Sequence, residues 1–248
     1  ASLHPVPNRC FMKIGILQTG DAPDALRPAH GNYPDLFQRL LADQGFTFRT
    51  WRVLDMDFPA SPHDADGWLI TGSRFGAYED HPFIPPLEVF IRAVHAAGVP
   101  MVGICFGHQI IAQAMGGRVV KYPGGWSVGR TEYDFGGRTV ALNAWHQDQV
   151  VERPPGATVC ASNDFCENAA LLYGDRIFTV QAHPEFHHDF TADIIEKRGR
   201  GLVPDPLLDA ANARLDQPVD DTTLARTIGE FFRTRRLGAI THPERLTP

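Results

Sequence analysis

The run PMVGICFGHQIIAQAMGG, residues 100–117, places a cysteine where two kinds of periodicity meet. Pro100 to Ile104 is a short apolar segment of strand length. His108 to Met115 continues with helical spacing until Gly116-Gly117 stops it. Cys105 lies between them, with Gly103 two residues before and Gly107 two after. Glycines at those offsets let the chain turn sharply from strand into helix, as at a nucleophile elbow. The turn puts the sulfur at the carboxyl end of a sheet, where α/β folds place their ligands. The N-terminus of the following helix favours a thiolate, and its free N–H groups can hold an oxyanion. A lone cysteine is more often a small buried residue; the Gly-x-Cys-x-Gly-x-Gln setting points to a reactive one.

On the N-terminal side of this junction the same alternation repeats. Lys13 to Gln18, Phe46 to Val53 and Trp68 to Thr71 read as strands. Pro34 to Gln44 and Pro85 to Ala97 read as helices, each followed by glycine. Strand and helix in alternation imply parallel crossovers and a sheet covered on both faces. The prediction is therefore an α/β fold with a flavodoxin-like, mostly parallel sheet. On the C-terminal side the pattern changes. Glycines interrupt short β-like runs at Val119–Tyr122, Thr131–Phe135, Thr139–Leu142 and Thr158–Ala161, which predicts an antiparallel ribbon at one end. Ile177 to Gln181 returns to a buried strand. Helices are expected at Asp189–Gly199 and Thr222–Arg236, with a Pro- and Asp-rich connection from Val203 to Asp221. The domain expected from this covers residues 12–189. Residues 190–248 form a C-terminal helical extension packed on it, and residues 1–11 are a leader or an expression remnant.

Composition narrows the classes of function. The 248 residues are 43% hydrophobic and 21% charged, ordinary for a soluble protein. The net charge of −6 comes from 23 basic and 29 acidic residues, which excludes the basic footprint of a nucleic-acid binder. The basic cluster Arg233, Arg235 and Arg236 fits the last turn of a helix. No run approaches the length of a membrane span, and the N-terminus lacks the apolar core of a signal peptide. Cys10, Cys105, Cys160 and Cys166 form neither a CxxC pair nor a zinc pattern, so a reducing, cytoplasmic setting is expected, with no metal.

A second motif, His183-Pro184-Glu185, follows the Ile177–Gln181 strand. A cysteine nucleophile needs a base that holds the thiolate and later protonates the leaving amine, and a third group that orients the base. Histidine and a carboxylate two residues apart, stiffened by proline, can fill both roles. With 11 histidines in the chain a chance His-x-Glu is unremarkable by itself; its pairing with the elbow gives it weight.

Together the two motifs resemble the class I glutamine amidotransferase family, over about Lys13 to Phe186, in the family's order and 183 − 105 = 78 residues apart. The resemblance implies that Cys105 attacks a glutamine side-chain amide, that His183 acts as base and then acid, and that Glu185 orients His183. It implies a γ-glutamyl thioester and no cofactor. The oxyanion would be held by the N–H of Phe106 and by the turn after Trp68–Thr71. That turn is Thr71-Gly72-Ser73-Arg74 where many members have Ser-Gly-Gly-Pro, with Ser73 at the usual donor position. Gln109 matches a position that helps hold glutamine. Gly125–Gly129, with Trp126 and Ser127, and the segment of Trp145 and His146 fall where the family contacts the amino-acid end of the substrate; packing accounts for these aromatic residues equally well.

The chain looks most like stand-alone members resembling the amidotransferase half of GMP synthase. Its expected ligand is glutamine or another γ-glutamyl compound, and its candidate partner a synthetase or ammonia-acceptor subunit. Two alternatives remain open, a stand-alone γ-glutamyl peptide hydrolase and a non-catalytic regulatory subunit with the same fold.

Overall fold

The computed structural model describes residues 11–240; the expected leader, Phe11 apart, and Cys10 lie outside that range. The first strands are β1 (Met12–Leu17), β2 (Phe46–Trp51), β3 (Gly67–Ile70) and β4 (Met101–Ile104). Between them run α1 (Arg27–His30), α2 (Tyr33–Leu40) and α3 (Ile84–Ala97), and α4 (Phe106–Ala114) follows β4. The remaining strands are β5 (Arg118–Lys121), β6 (Ser127–Phe135), β7 (Arg138–His146), β8 (Asp148–Glu152), β9 (Thr158–Ala161), β10 (Ala170–Tyr173) and β11 (Ile177–Val180). The last helices are α5 (His188–Ile194), α6 (Asp205–Asn212) and α7 (Asp221–Thr234).

Seven strands form one sheet in the order β2-β1-β3-β4-β11-β10-β9. The pairs β1–β2, β1–β3, β3–β4 and β4–β11 are parallel, while β11–β10 and β10–β9 are antiparallel. The first five places follow the flavodoxin-like order, with β11 as the fifth strand. The antiparallel part departs from a single ribbon. It consists of the sheet's own edge, a ribbon β5–β8 and a nine-residue ribbon β6–β7.

Both faces of the sheet are covered. On one, Trp68 is fully buried between Trp51 and Phe90, with ring centroids 5.2 and 5.1 Å away, and Leu87, Ile91 and Val94 of α3 complete the layer. Glycine is required at position 15, because a Cβ there would lie 2.3 Å from the Trp68 ring. On the other face Leu224, Ile228, Phe231 and Phe232 of α7 join Phe37 and Leu41 over Ile14, Ile16 and Phe178. A third cluster gathers Tyr33, Trp145, Phe186, Phe190, Ile195 and Leu208 beside the carboxyl ends of the strands.

Four elements differ from the sequence reading. Helix α4 begins at Phe106, directly after Cys105, rather than at His108. The connection from Val203 to Asp221 contains α6, which starts on a proline in its first turn and buries Leu208 and Ala211. Proline marks that segment as a helix start, where its missing N–H costs nothing. Strands β8 and β10 have no counterpart in the sequence reading: both are short, β8 pairs with β5 far back in the chain, and β10 closes a tight hairpin with β11. Cys160 belongs to the edge strand β9, and Cys166 is buried in the loop that follows it. Among the described residues no helix is long and apolar enough to cross a membrane.

Candidate active site

Cys105 has φ 54 and ψ −104, a left-handed backbone that a β-substituted residue adopts only under strain, at a cost of about 1–3 kcal/mol. The two flanking glycines explain how the strain is held. A Cβ on Gly103 would lie 2.6 Å from the backbone of Gly107, and one on Gly107 would lie 2.4 Å from the carbonyl oxygen of Ile70. Helix α4 thus presses directly onto β3 and β4. The Cys105 N–H donates to the Val180 carbonyl, 2.9 Å, which ties the elbow to β11.

His183 stands just beyond the end of β11. Its N–H donates to the Asn143 carbonyl at 2.9 Å, and the Asn143 side-chain amide donates to the Phe186 carbonyl at 2.9 Å, so β7 clamps the His-Pro-Glu turn. The His183 Nδ1–H donates to Glu185, with Oε2 at 3.0 Å and Oε1 at 3.2 Å. That leaves Nε2 for the sulfur of Cys105, whose charge the ring feels. Phe186 stacks on the imidazole at 3.9 Å, the rings 4° from parallel. On its edge, a Cβ on Gly72 would lie 3.2 Å from His183 Cε1 and 3.8 Å from Cys105 Cβ. Cys105, His183 and Glu185 are 6%, 4% and 1% exposed, so their mutual field is little screened by water. Burial works against a charge on His183, but the neighbouring Glu185 carboxylate and Cys105 sulfur override it and raise the imidazole well above its usual value.

The sulfur has two further neighbours. The Trp145 carbonyl oxygen lies 3.8 Å away, and the Gln181 side-chain amide donates to Sγ at 3.6 Å. Gln109 Nε2 in turn donates to Gln181 Oε1 at 3.2 Å and to the Asp148 carbonyl at 3.0 Å. Both amide hydrogens of Gln109 are therefore used inside the protein, and its carbonyl remains for a ligand. His146 donates from Nδ1 to the Asp148 carbonyl at 3.1 Å, and its Nε2 is buried without a partner. Burial lowers its pKa to about 4, so at neutral pH Nε2 is an acceptor.

A cleft of about 440 Å³ opens above Cys105. Of the residues picked out in the sequence, Ser73, Gln109, Trp126, Trp145, His146 and His183 line it with Cys105. Gly72 sits at the joint between His183 and Cys105. The Phe106 ring is buried in the core under α3, so only its backbone faces the elbow. Ser127 pairs with His146 across the β6–β7 ribbon and does not line the cleft. The turn after β3 is braced from β1: the Thr19 hydroxyl donates to the Thr71 carbonyl at 2.9 Å. The Ser73 hydroxyl accepts from the Phe75 N–H at 3.2 Å, which holds the turn in shape. Gln181, Tyr33, Tyr78, Asp148 and Arg198 also belong to the site or its walls and were not singled out from the sequence. The Tyr78 hydroxyl donates to Asp148 Oδ1 at 2.8 Å. Gln181, a polar residue ending a buried strand just before His183, carried a readable signal; Arg198 carried none.

An elbow cysteine beside a buried histidine–carboxylate pair, on this sheet order, is the class of arrangement in which a thiol has a base and an orienting group beside it. The comparisons give that class its family. The profile of the family described as "Glutamine amidotransferase class-I" matches residues 39–198. The chain belongs to the class I glutamine amidotransferase family. Gamma-glutamyl peptidase 4 of Arabidopsis thaliana is 31% identical, covering 89% of this chain and 94% of that protein. A gamma-glutamyl-L-1-hydroxyisopropylamide hydrolase of Pseudomonas sp is 31% identical over 71% of this chain and 67% of its own length. A glutamine-hydrolyzing GMP synthase component from Halobacterium salinarum is 32% identical over 64% of this chain and 86% of that protein. The solved structure of a glutamine amido transferase from Methylobacillus flagellatus has the same fold, with a TM-score of 0.69 over 90% of this chain and 92% of that one, at 24% identity.

Proposed function

We propose that this protein hydrolyses γ-glutamyl amides through a thioester on Cys105. The observation that carries the reading is the strained Cys105 elbow set against a His183 whose Nδ1 is locked by Glu185 at 3.0 Å. The thiolate attacks the γ-carbonyl carbon, and the carbonyl oxygen becomes an oxyanion. Backbone N–H groups of Phe106 and of the Gly72-Ser73 turn receive it. The imidazolium gives its Nε2 proton to the departing nitrogen, the C–N bond breaks, and a γ-glutamyl thioester remains. His183, now neutral, takes a proton from water as it attacks the thioester. Glutamate leaves, and the proton returns to the pair. Glu185 fixes the ring's tautomer throughout. The Gln109 carbonyl and the His146 Nε2 are acceptors suited to the substrate's α-ammonium group.

Release of an amine larger than ammonia is supported by the two similar hydrolases, whose names specify γ-glutamyl peptides and a substituted γ-glutamyl amide. A second reading, a glutaminase that passes ammonia to a synthetase, is favoured by the likeness to the GMP synthase component. Glutamate release from glutamine and from γ-glutamyl dipeptides, with Cys105→Ala as control, separates them. Peptide turnover well above glutamine supports the hydrolase, and glutamine turnover alone supports the glutaminase. Activity that survives Cys105→Ala refutes both.

A further inference from the structure

The segment after α5 changes register. Ile195 to Gly199 form a single π-helical turn, a feature that often marks a functional position. It packs tightly, since a Cβ on Gly199 would lie 2.7 Å from the Trp145 ring and 2.8 Å from Leu208. Its cations are used unevenly. Arg200 binds Glu196, Asp205 and Asp209 on the outer surface, at 3.0, 3.2 and 3.0 Å. Lys197 reaches the Ala25 carbonyl. Arg198 is half-buried, lines the cleft over Cys105, and among the described residues forms no ion pair. The cleft's own acids are spent elsewhere: Glu79 on the Gly76 N–H and His81, Asp148 on Tyr78.

Tyr33 lines the same cleft as Arg198. Guanidinium nitrogens only donate, and a phenol O–H can donate beside them. Tyr33 is 5% exposed and opens α2, whose start is fixed by the Asn32 side chain accepting from the Tyr33 N–H at 2.9 Å. Two donors, one of them cationic, thus converge in the cleft on rigid supports. That is a receptor for a carboxylate, which guanidinium binds through paired hydrogen bonds.

Tyr33 packs in the same apolar cluster as Phe186, which stacks on the His183 ring, so it stands on the imidazole side of the sulfur. The leaving amine must occupy that side, because His183 protonates it. The Gln109 and His146 acceptors described above are suited to the glutamyl end. The cleft also has space for more than glutamine, whose ten or so non-hydrogen atoms fill at most ~300 Å³ at a water's share each, against about 440 Å³.

Resting on the γ-glutamyl amide reading, we propose that Arg198 and Tyr33 bind the free carboxylate of the departing amine, so that the preferred substrates are γ-glutamyl amino acids and short γ-glutamyl peptides with a free C-terminus.

The test compares kcat/KM for γ-glutamylglycine with that for its C-terminal amide, in the wild type, Arg198→Ala, Arg198→Lys and Tyr33→Phe. Wild type should prefer the free acid by roughly tenfold to a hundredfold, the range for hydrogen bonds to a charged group. Arg198→Ala should bring the ratio close to one, mainly through KM. Arg198→Lys and Tyr33→Phe, which keep the charge or the ring, should give intermediate ratios. An equal loss on acid and amide would mean that Arg198 holds the glutamyl carboxylate or only supports the fold, and overturns the proposal. So does a wild type that turns over both forms without preference. If the wild type releases glutamate from neither form nor from glutamine, the γ-glutamyl reading itself falls, and this inference with it.

Discussion

Replacing Glu185 by glutamine isolates the group that makes His183 basic. The carboxylate is 1% exposed and sits 3.0 Å from Nδ1. An opposite charge at such range in a poorly solvated site shifts a partner by about 1–3 pKa units, or roughly 1.4–4 kcal/mol. Glutamine fills the same space without the charge and can present its N–H₂ group to Nδ1, which favours the wrong tautomer. The corresponding carboxylate-to-amide change in the serine-protease triad costs about 10⁴ in kcat. For Glu185→Gln the expected loss is about 10² to 10⁴ in kcat, with KM changed little. His183→Ala should cost more, because the base itself is gone. The companion assay is the rate of Cys105 alkylation against pH. With Glu185 present the imidazolium persists at neutral pH beside the sulfur. In Glu185→Gln, rapid alkylation should begin only at higher pH. The stability sign is equally definite. The folded pKa of His183 is raised, so the pair stabilises the native state fully below the ordinary histidine value, and this is lost as pH rises through the raised one. Glu185→Gln should weaken that alkaline decline. Turnover within about threefold of wild type, with an unchanged alkylation profile, would refute the assigned role.

Other perturbations test the frame around the site. Gly107→Ala puts a methyl group 2.4 Å from the Ile70 carbonyl oxygen. It should cost about 1–3 kcal/mol in urea unfolding and lower kcat far more than a surface Gly→Ala change, because it pushes α4 off β3; an unperturbed protein would contradict the close packing. His108 and His146 are buried, with pKa values lowered by desolvation to about 3 and about 4. Stability should be full above the ordinary histidine value and fall as pH drops from there toward the lowered ones, by about 1.4 kcal/mol per pH unit per histidine. His108→Gln should flatten that slope, and a slope unchanged in the variant would show that other groups set it. Leu208→Ala opens a hole beside Trp145 and Gly199 and should cost about 2–5 kcal/mol in the same assay; a loss under about 0.5 kcal/mol would show that α6 contributes little to the fold.

Most of the fold was legible because its parallel core obeys local rules. Apolar runs of strand length alternate with amphipathic helices that end in glycine, and Gly103, Cys105 and Gly107 mark the elbow. The ribbons were harder: β8 and β10 acquire their character from partners, not from their own alternation. The α6 helix hid in a Pro- and Asp-rich stretch whose prolines open a helix instead of excluding one. In the site, His183 and Glu185 were readable because two residues on one turn encode the pair. Tyr33 and Arg198 were not, since their meeting depends on the start of α2 and a π-helical turn packing around one cleft.

The most direct test of the account is to trap the acyl-enzyme. The protein would be mixed with a γ-glutamyl substrate, quenched in acid within the first turnovers, digested and mapped by mass spectrometry. The account predicts a γ-glutamyl group on the peptide that carries Cys105 and on no peptide carrying Cys160 or Cys166. Cys105→Ala should give no adduct and less than about a hundredth of wild-type glutamate release. Steady turnover with no adduct on Cys105, or turnover that survives Cys105→Ala, would contradict it.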